Sequence, residues 1–289
     1  MRITHELGQW IGLTDDNGIE RLRYDYASAP KPFIHPLRLP DGTTITEHEP
    51  ADHTWHRGLW FAFKFVNGVN YWEERDEIFG YQHTTSTDLY EDSETMKEQC
   101  TEEEFEELRG GFMSVFHHNL DWKPSNSSDP ILGERRALNM MFQEDVLRLH
   151  WCFNIYPQQD VTLDRTPFTT WGGYGGLFVR LRNDLENPRL VFDDGTVTTR
   201  CTGERYKWGG IEGTTPDGKD CAVVFLPSPE NTRYPEPFYG AAKTDYNFFG
   251  PAPLFHEPIV LKKGEKITYL YTVLILPRRI NPDEINTFL

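Results

Sequence analysis

The sequence predicts an all-β protein, folded as a single large antiparallel two-sheet β-sandwich over residues 1–289. Three observations carry that reading. Apolar residues recur with a period of two in several runs, the signature of half-buried strands. Glycine and proline number 23 and 20, so turns are frequent. No amphipathic helical pattern runs beyond two or three turns, and neither a repeat nor a linker divides the chain.

The elements follow in order. Leu59, Phe61, Phe63 and Phe65 alternate with Trp60, Ala62 and Lys64, which predicts a strand over 59–66. Leu147, Leu149, Trp151, Phe153 and Ile155 predict another, with Arg148, His150 and Asn154 on its other face. Leu177, Val179 and Leu181 alternate with Phe178, Arg180 and Arg182 in the same way. Ala222–Leu226 and Ile267–Leu276 are apolar on both faces, as buried strands are. Asp41-Gly42, Asn67-Gly68, Asp194-Gly195, Asp217-Gly218 and Lys263-Gly264 supply turns between them.

The charge is −16, from 29 Lys+Arg against 45 Asp+Glu. Such acidity speaks against nucleic acid, whose phosphates are bound by Lys and Arg. Ten acids and one lysine between Asp88 and Glu107 account for −9 of it. This block sits in an expected acidic insertion over 84–130. Thr101 and Glu104 have capping-box spacing and Gly110-Gly111 supply a stop, so a short surface helix is expected at about 102–109. The insertion reads as a solvated loop, or else as a lid or docking surface. No run approaches ~20 apolar residues, so no membrane-spanning helix is expected. The N-terminal residues lack a long apolar region, and a cytoplasmic location is expected. Cys100, Cys152, Cys201 and Cys221 form no C-x-x-C pair and read as free thiols.

Chemistry-bearing residues concentrate near the front. His35, His48, His53, His56 and His83 are half of the ten histidines. The string Asp52-His53-Thr-Trp-His56-Arg57-Gly-Leu-Trp60 precedes a strand, where a rigid sheet presents functional side chains. Trp72 with Glu73 and Glu74 closes the next hairpin. Histidine moves protons near neutral pH, arginine clamps oxygens, and an indole face covers a pyranose. His53 and His56 also have the spacing of a metal pair, with His83, Glu73 or Asp52 to complete it, although no helix aligns them. No metal and no cofactor is predicted. Tyr174 lies in Trp171-Gly-Gly-Tyr-Gly-Gly176, whose glycine spacing is not that of a dinucleotide fingerprint, and Arg180 follows it. Pro227-Ser-Pro-Glu-Asn231-Thr-Arg233-Tyr-Pro235 reads as a rigid turn, or as an Asn and an Arg held for ligand hydroxyls.

In chain order, Lys31-Pro-Phe-Ile-His35-Pro-Leu-Arg38-Leu-Pro-Asp-Gly42, the Asp52–Phe61 string, Asn67–Trp72, Gly133-Glu134-Arg-Arg136, Gly172–Gly176 and Pro227–Pro235 resemble the PmoA-like family of bacterial proteins, the domain of unknown function 6807. The resemblance covers the chain from about Pro32 to the final strand. Thr54-Trp55 and the region 84–130 depart from the family's pattern. The family's label, methane oxygenase, implies a membrane-embedded copper subunit, and it is set aside for want of a spanning helix. What the resemblance implies is a β protein shaped like the aldose-epimerase supersandwich, acting alongside sugar oxidoreductases of the Gfo/Idh/MocA type. By position it implies site residues at His35, Arg38, His53, His56, Arg57, Trp60, Trp72, His83, Glu134, Arg180, Asn231 and Arg233.

The expected function is acid/base chemistry on a sugar or 3-keto sugar, of the mutarotase, epimerase or lyase type. His35, His53, His56, Arg57, Glu73, His83 and Glu134 are the candidate catalytic residues, with Arg57 or Arg38 stabilising an oxyanion. Arg38, Trp60, Trp72, Tyr174, Arg180, Asn231 and Arg233 are the candidate substrate-binding residues. The expected ligand is a small sugar, with neither nucleic acid nor membrane as partner, and a homo-oligomer is compatible with the sequence. The alternatives are a non-catalytic carbohydrate-binding protein and a metal-dependent oxygenase or hydrolase.

Overall fold

Period-two patterning becomes 22 strands among the described residues of a computed structural model. The structure describes residues 2–90, 114–167 and 172–289. One nine-stranded sheet runs in the spatial order β1 (Arg2–Glu6), β2 (Trp10–Thr14), β3 (Glu20–Asp25), β4 (Phe33–Leu37), β5 (Leu59–Ala62), β13 (Gly176–Leu181), β20 (Tyr246–Pro251), β19 (Glu236–Lys243), β16 (Arg200–Tyr206). A second has the order β15 (Val197–Thr198), β14 (Glu186–Phe192), β17 (Gly209–Thr214), β18 (Asp220–Pro227), β22 (Ile267–Leu276), β11 (Val146–Pro157), β10 (Leu132–Gln143), β9 (Ser114–Pro124), β8 (Gly80–Tyr90). A small sheet joins β21 (Ile259–Leu261), β12 (Val161–Asp164), β6 (Phe65–Val66) and β7 (Val69–Asn70).

The inward faces of the two large sheets meet in one aromatic core. Phe61 of β5 stacks on Phe153 of β11 at 4.1 Å between ring centres, and Phe249 of β20 meets Phe225 of β18 at 6.1 Å. Each such fully buried ring contributes about 1.5–3 kcal/mol of transfer free energy. The core also holds a bonded polar cluster. Glu134 accepts from Arg136 Nε at 2.6 Å and from Trp122 Nε1 at 2.7 Å. Arg136 donates onward to the Tyr24 hydroxyl and to Gln82 Oε1, so both charges are buried and partnered.

Two expectations change here. The predicted strand 59–66 is two strands: the chain leaves the first sheet after Ala62, and Phe65–Val66 pairs with β12. The alternation persists across the break because Lys64 turns its side chain to Glu73, so spacing alone conceals it. The expected insertion over 84–130 is in good part sheet, since β8 reaches Tyr90 and β9 begins at Ser114. The expected helix at 102–109, with Thr101, Glu104, Gly110 and Gly111, lies outside the described residues, as does Cys100.

One short α-helix among the described residues, α1 (Pro282–Ile285), is capped by the Asn281 side chain on the Asp283 N–H at 3.1 Å and runs into a 3-10 turn over Asn286–Phe288. It covers part of the second sheet's outer face, where Trp208, Leu226, Leu274 and Ile285 form a small second core. Among the described residues no helix is long and apolar enough to cross a membrane.

Candidate functional site

Because Phe61 and Phe249 face the core, strand alternation turns Trp60 and Phe248 to the first sheet's outer face. There Phe178 of β13 stacks on Phe248 at 4.7 Å, and Trp72 meets Trp60 at 5.2 Å. Above this layer lies a cavity of about 570 Å³. Trp55, Trp72, Tyr174, Tyr239, Tyr246 and Phe248 form its aromatic walls, while His53, His56 and Glu73 bring the groups that can exchange protons. Arg200 and Lys243 complete the rim.

The histidine wall is the loop between β4 and β5. Its turns close by His53 N–H to Pro50 O and His56 N–H to His53 O, each at 2.9 Å. Gly58 ends it with φ +78, and a Cβ there would stand 2.3 Å from Ile34 O, so only glycine fits. His53 Nδ1 is 2.7 Å from Asp52 Oδ2. An ionised carboxylate only accepts, so Nδ1 carries the proton shared with Asp52. Arg180 donates to Asp52 at 2.9 Å and lies over the Tyr246 ring at 4.2 Å. Burial would raise the Asp52 carboxyl, but the His53 hydrogen bond and the Arg180 charge outweigh it and hold it below the usual carboxylate range. His56 stacks between His53 at 4.6 Å and Phe248 at 4.7 Å, and its buried Nδ1 has no partner. Burial, then the charges of His53 and Arg180, holds it far below the ordinary histidine range, so it is neutral.

The carboxylate wall follows β7. Asn70 Oδ1 accepts from the Trp72 and Glu73 amides at 2.9 and 3.2 Å, a local turn that separates the paths of two adjacent carboxylates. Glu73 lines the cavity, accepting from the Tyr174 hydroxyl at 2.6 Å and pairing with Lys64. Burial would raise its carboxyl, yet Lys64 and then Tyr174 hold it low. Glu74 goes underneath, to Lys31 at 2.5 Å and Arg57 at 2.7 Å. Burial lowers the Lys31 ammonium to about 8.

Of the expected site residues, the structure brings His53, His56, Trp72, Glu73 and Tyr174 to one cavity, with Trp60 and Arg180 directly behind. The others are engaged elsewhere. Arg57 is held between Glu74 and Glu49, and Arg38 by Glu20. His35 bonds Thr46 Oγ1 at 2.9 Å and stacks on His48, and burial lowers it to about 4. His83 is exposed on β8 of the other sheet. Glu134 is the core partner of Arg136. Asn231 bridges Glu236 Oε1 and the Leu270 backbone, and Arg233 donates to the carbonyls of Pro253, Glu257 and Pro258. Trp171 lies outside the described residues.

The sequence does not mark Tyr239, Tyr246, Phe248, Arg200 or Lys243, shows Trp55 only as a departure from the family's pattern, and offers Asp52 only as a metal ligand. The alternation of Tyr246 with Phe248 was the available signal for the far wall. Among the described residues, no three His, Cys, Asp or Glu side chains gather as a metal site. His53 and His56 stack with their planes 22° apart, which keeps their in-plane lone pairs from converging on one ion.

No curated protein matches the chain by sequence. Among solved structures, the GH36 alpha-galactosidase AgaB from Geobacillus stearothermophilus is similar over 98% of this chain, with 10% identity and a TM-score of 0.47. The match spans 42% of that chain, so this protein corresponds to less than half of that enzyme's length. A likeness of that size says nothing about activity. The model of a family of unknown function, DUF6807, matches residues 14–289, and the chain belongs to that family.

Proposed function

We propose that the protein acts on a sugar or 3-keto sugar by proton transfer in the cavity of the first sheet. One observation carries this reading: His53, held by an Asp52 that Arg180 anchors from behind, lines an aromatic-walled cavity that Glu73 also lines. Asp52 fixes the His53 tautomer and stabilises the imidazolium that forms when Nε2 takes a proton. Tyr239 and Tyr246, the half-buried rings of the wall, suit the C–H faces of a pyranose. In a 3-keto sugar, removal of the proton beside the ketone gives an enolate. Reprotonation on the other face is epimerisation; loss of the glycosidic oxygen, protonated as it leaves, is elimination. Neither outcome changes the overall oxidation state. Arg57 and Arg38 are committed to carboxylates and the Tyr174 hydroxyl donates to Glu73, which leaves oxyanion stabilisation to the neutral His56 at the cavity. The reading fits a cytoplasmic pathway in which an oxidoreductase of the Gfo/Idh/MocA type supplies the keto sugar.

A non-catalytic carbohydrate-binding role is favoured by a different observation: Tyr174 and Lys64 already occupy the Glu73 carboxylate. A panel of aldoses and 3-keto glucosides separates the two. Turnover followed by NMR across pH, lost in His53→Ala and reduced in Glu73→Gln, is the expected result. Calorimetric binding to the wild type without turnover of any member would overturn the enzyme reading.

A further inference from the structure

The opposite side of the sandwich carries a second cavity, of about 410 Å³, on the outer face of the second sheet beside the cluster under α1. Arg148 and His150 of β11 and Thr272 of β22 form its floor. Lys207, Pro229 and Phe288 stand around it. None of its described lining residues is an aspartate or glutamate, in a chain where acids outnumber bases by 45 to 29.

Arg148 is the unusual group. Other buried arginines have acceptors even where, as in Arg21 and Arg180, a guanidinium nitrogen is left unpartnered: Arg136 has Glu134, Arg180 has Asp52, Arg21 has Asp15, Arg57 has Glu74 and Glu49, and Arg233 has three carbonyls. Arg148 is half-buried, lies over the Phe288 ring at 5.6 Å, and leaves a buried Nε without a hydrogen-bond partner. Burial lowers its pKa and no neighbouring acid opposes that. A desolvated cation without an anion is costly, and an anion entering the cavity removes the cost. His150 does not compete for that anion as a second fixed charge. It bonds Thr272 Oγ1 at 3.0 Å, and burial together with Arg148 lowers it to about 4, so it is neutral at pH 7. Lys207 is exposed at the mouth, where it adds attraction without a burial penalty.

We propose that this cavity binds a small organic anion, its carboxylate or phosphate head on Arg148 and Lys207 and its non-polar body against Phe288, Leu226 and Pro229. The volume suits a monosaccharide-sized molecule. The site is independent of the first cavity, since both large sheets and the aromatic core between them separate the two.

Calorimetry at pH 7 in low salt tests it, with glucose 6-phosphate, gluconate and benzoate as probes and glucose as the neutral control. At least one anion should bind, and the phosphate and carboxylate arms report which head the site prefers. Arg148→Met and Lys207→Met should each weaken binding about tenfold or more, the loss expected for a charge-assisted contact. Lys207 is exposed, so its variant tests the site even if the Arg148 variant folds poorly. His53→Ala should leave the affinity unchanged. No anion binding at millimolar concentration, equal affinity in both cation variants, or loss of binding in His53→Ala would each overturn the proposal.

Discussion

Glu236 gives the sharpest quantitative test of the fold. Its side chain is fully buried at the start of β19, where Asn231 Nδ2 donates to Oε1 at 2.7 Å and the Tyr271 hydroxyl lies 2.9 Å from Oε2. Burial outweighs both bonds and raises the carboxyl from 4.5 to about 8, so the folded protein holds it protonated at neutral pH. The unfolded chain releases that proton near 4.5. The stability associated with the neutral carboxyl is therefore complete below 4.5 and is lost as pH rises towards about 8. At about 1.4 kcal/mol per pH unit, the loss reaches about 3 kcal/mol at pH 7. Glu236→Gln cannot ionise, keeps an oxygen for Asn231 and keeps the volume. Urea unfolding of both proteins from pH 5 to pH 8 should show the variant gaining on the wild type by about 1.4 kcal/mol per unit. A difference that stays flat across that range would refute the assignment of a neutral carboxyl.

Three further outcomes are expected. Arg136→Met strands the Glu134 carboxylate in the core and should cost about 3–5 kcal/mol in urea unfolding, much of it recovered by adding Glu134→Gln. Gly58→Ala places a Cβ 2.3 Å from Ile34 O at a positive φ. It should lower Tm by an amount equivalent to about 1–3 kcal/mol and weaken sugar binding, since the His53 loop ends there. Arg233→Ala frees three carbonyls and should cost about 1–3 kcal/mol while leaving sugar affinity at the first cavity unchanged in calorimetry.

Much of the architecture was legible because period-two burial is a local property. Leu147 to Ile155 alternates inward in the structure as it does in the sequence. The break after Ala62 was hidden because the alternation continues through it while the pairing partner changes from β13 to β12. The site divides along the same line. His53 and His56 were legible in a dense local string and Glu73 in the hairpin that follows, whereas Asp52 was legible only as a metal ligand. Arg57 belonged to that string too, but its consumer, Glu74, lies 17 residues on, and no spacing rule says which of two adjacent carboxylates turns to the cavity. Asn231 and Arg233 have the residue types of a sugar site, yet a buried Glu236 and three backbone carbonyls use them first. Tyr239, Tyr246 and Phe248 became part of the site only because the chain returns to set β20 beside β13, a long-range pairing that local pattern does not encode.

The central claim is that Asp52 and His53 move a proton at a bound sugar. Exchange of the C–H proton beside the ketone of a 3-keto glucoside, followed by proton NMR in D2O, measures this before any product leaves. The account predicts exchange by the wild type and a loss of about 100-fold or more in His53→Ala, with Asp52→Asn also slowed and sugar binding retained in both. Absence of exchange by the saturated wild-type protein, or a wild-type rate in His53→Ala, would contradict it.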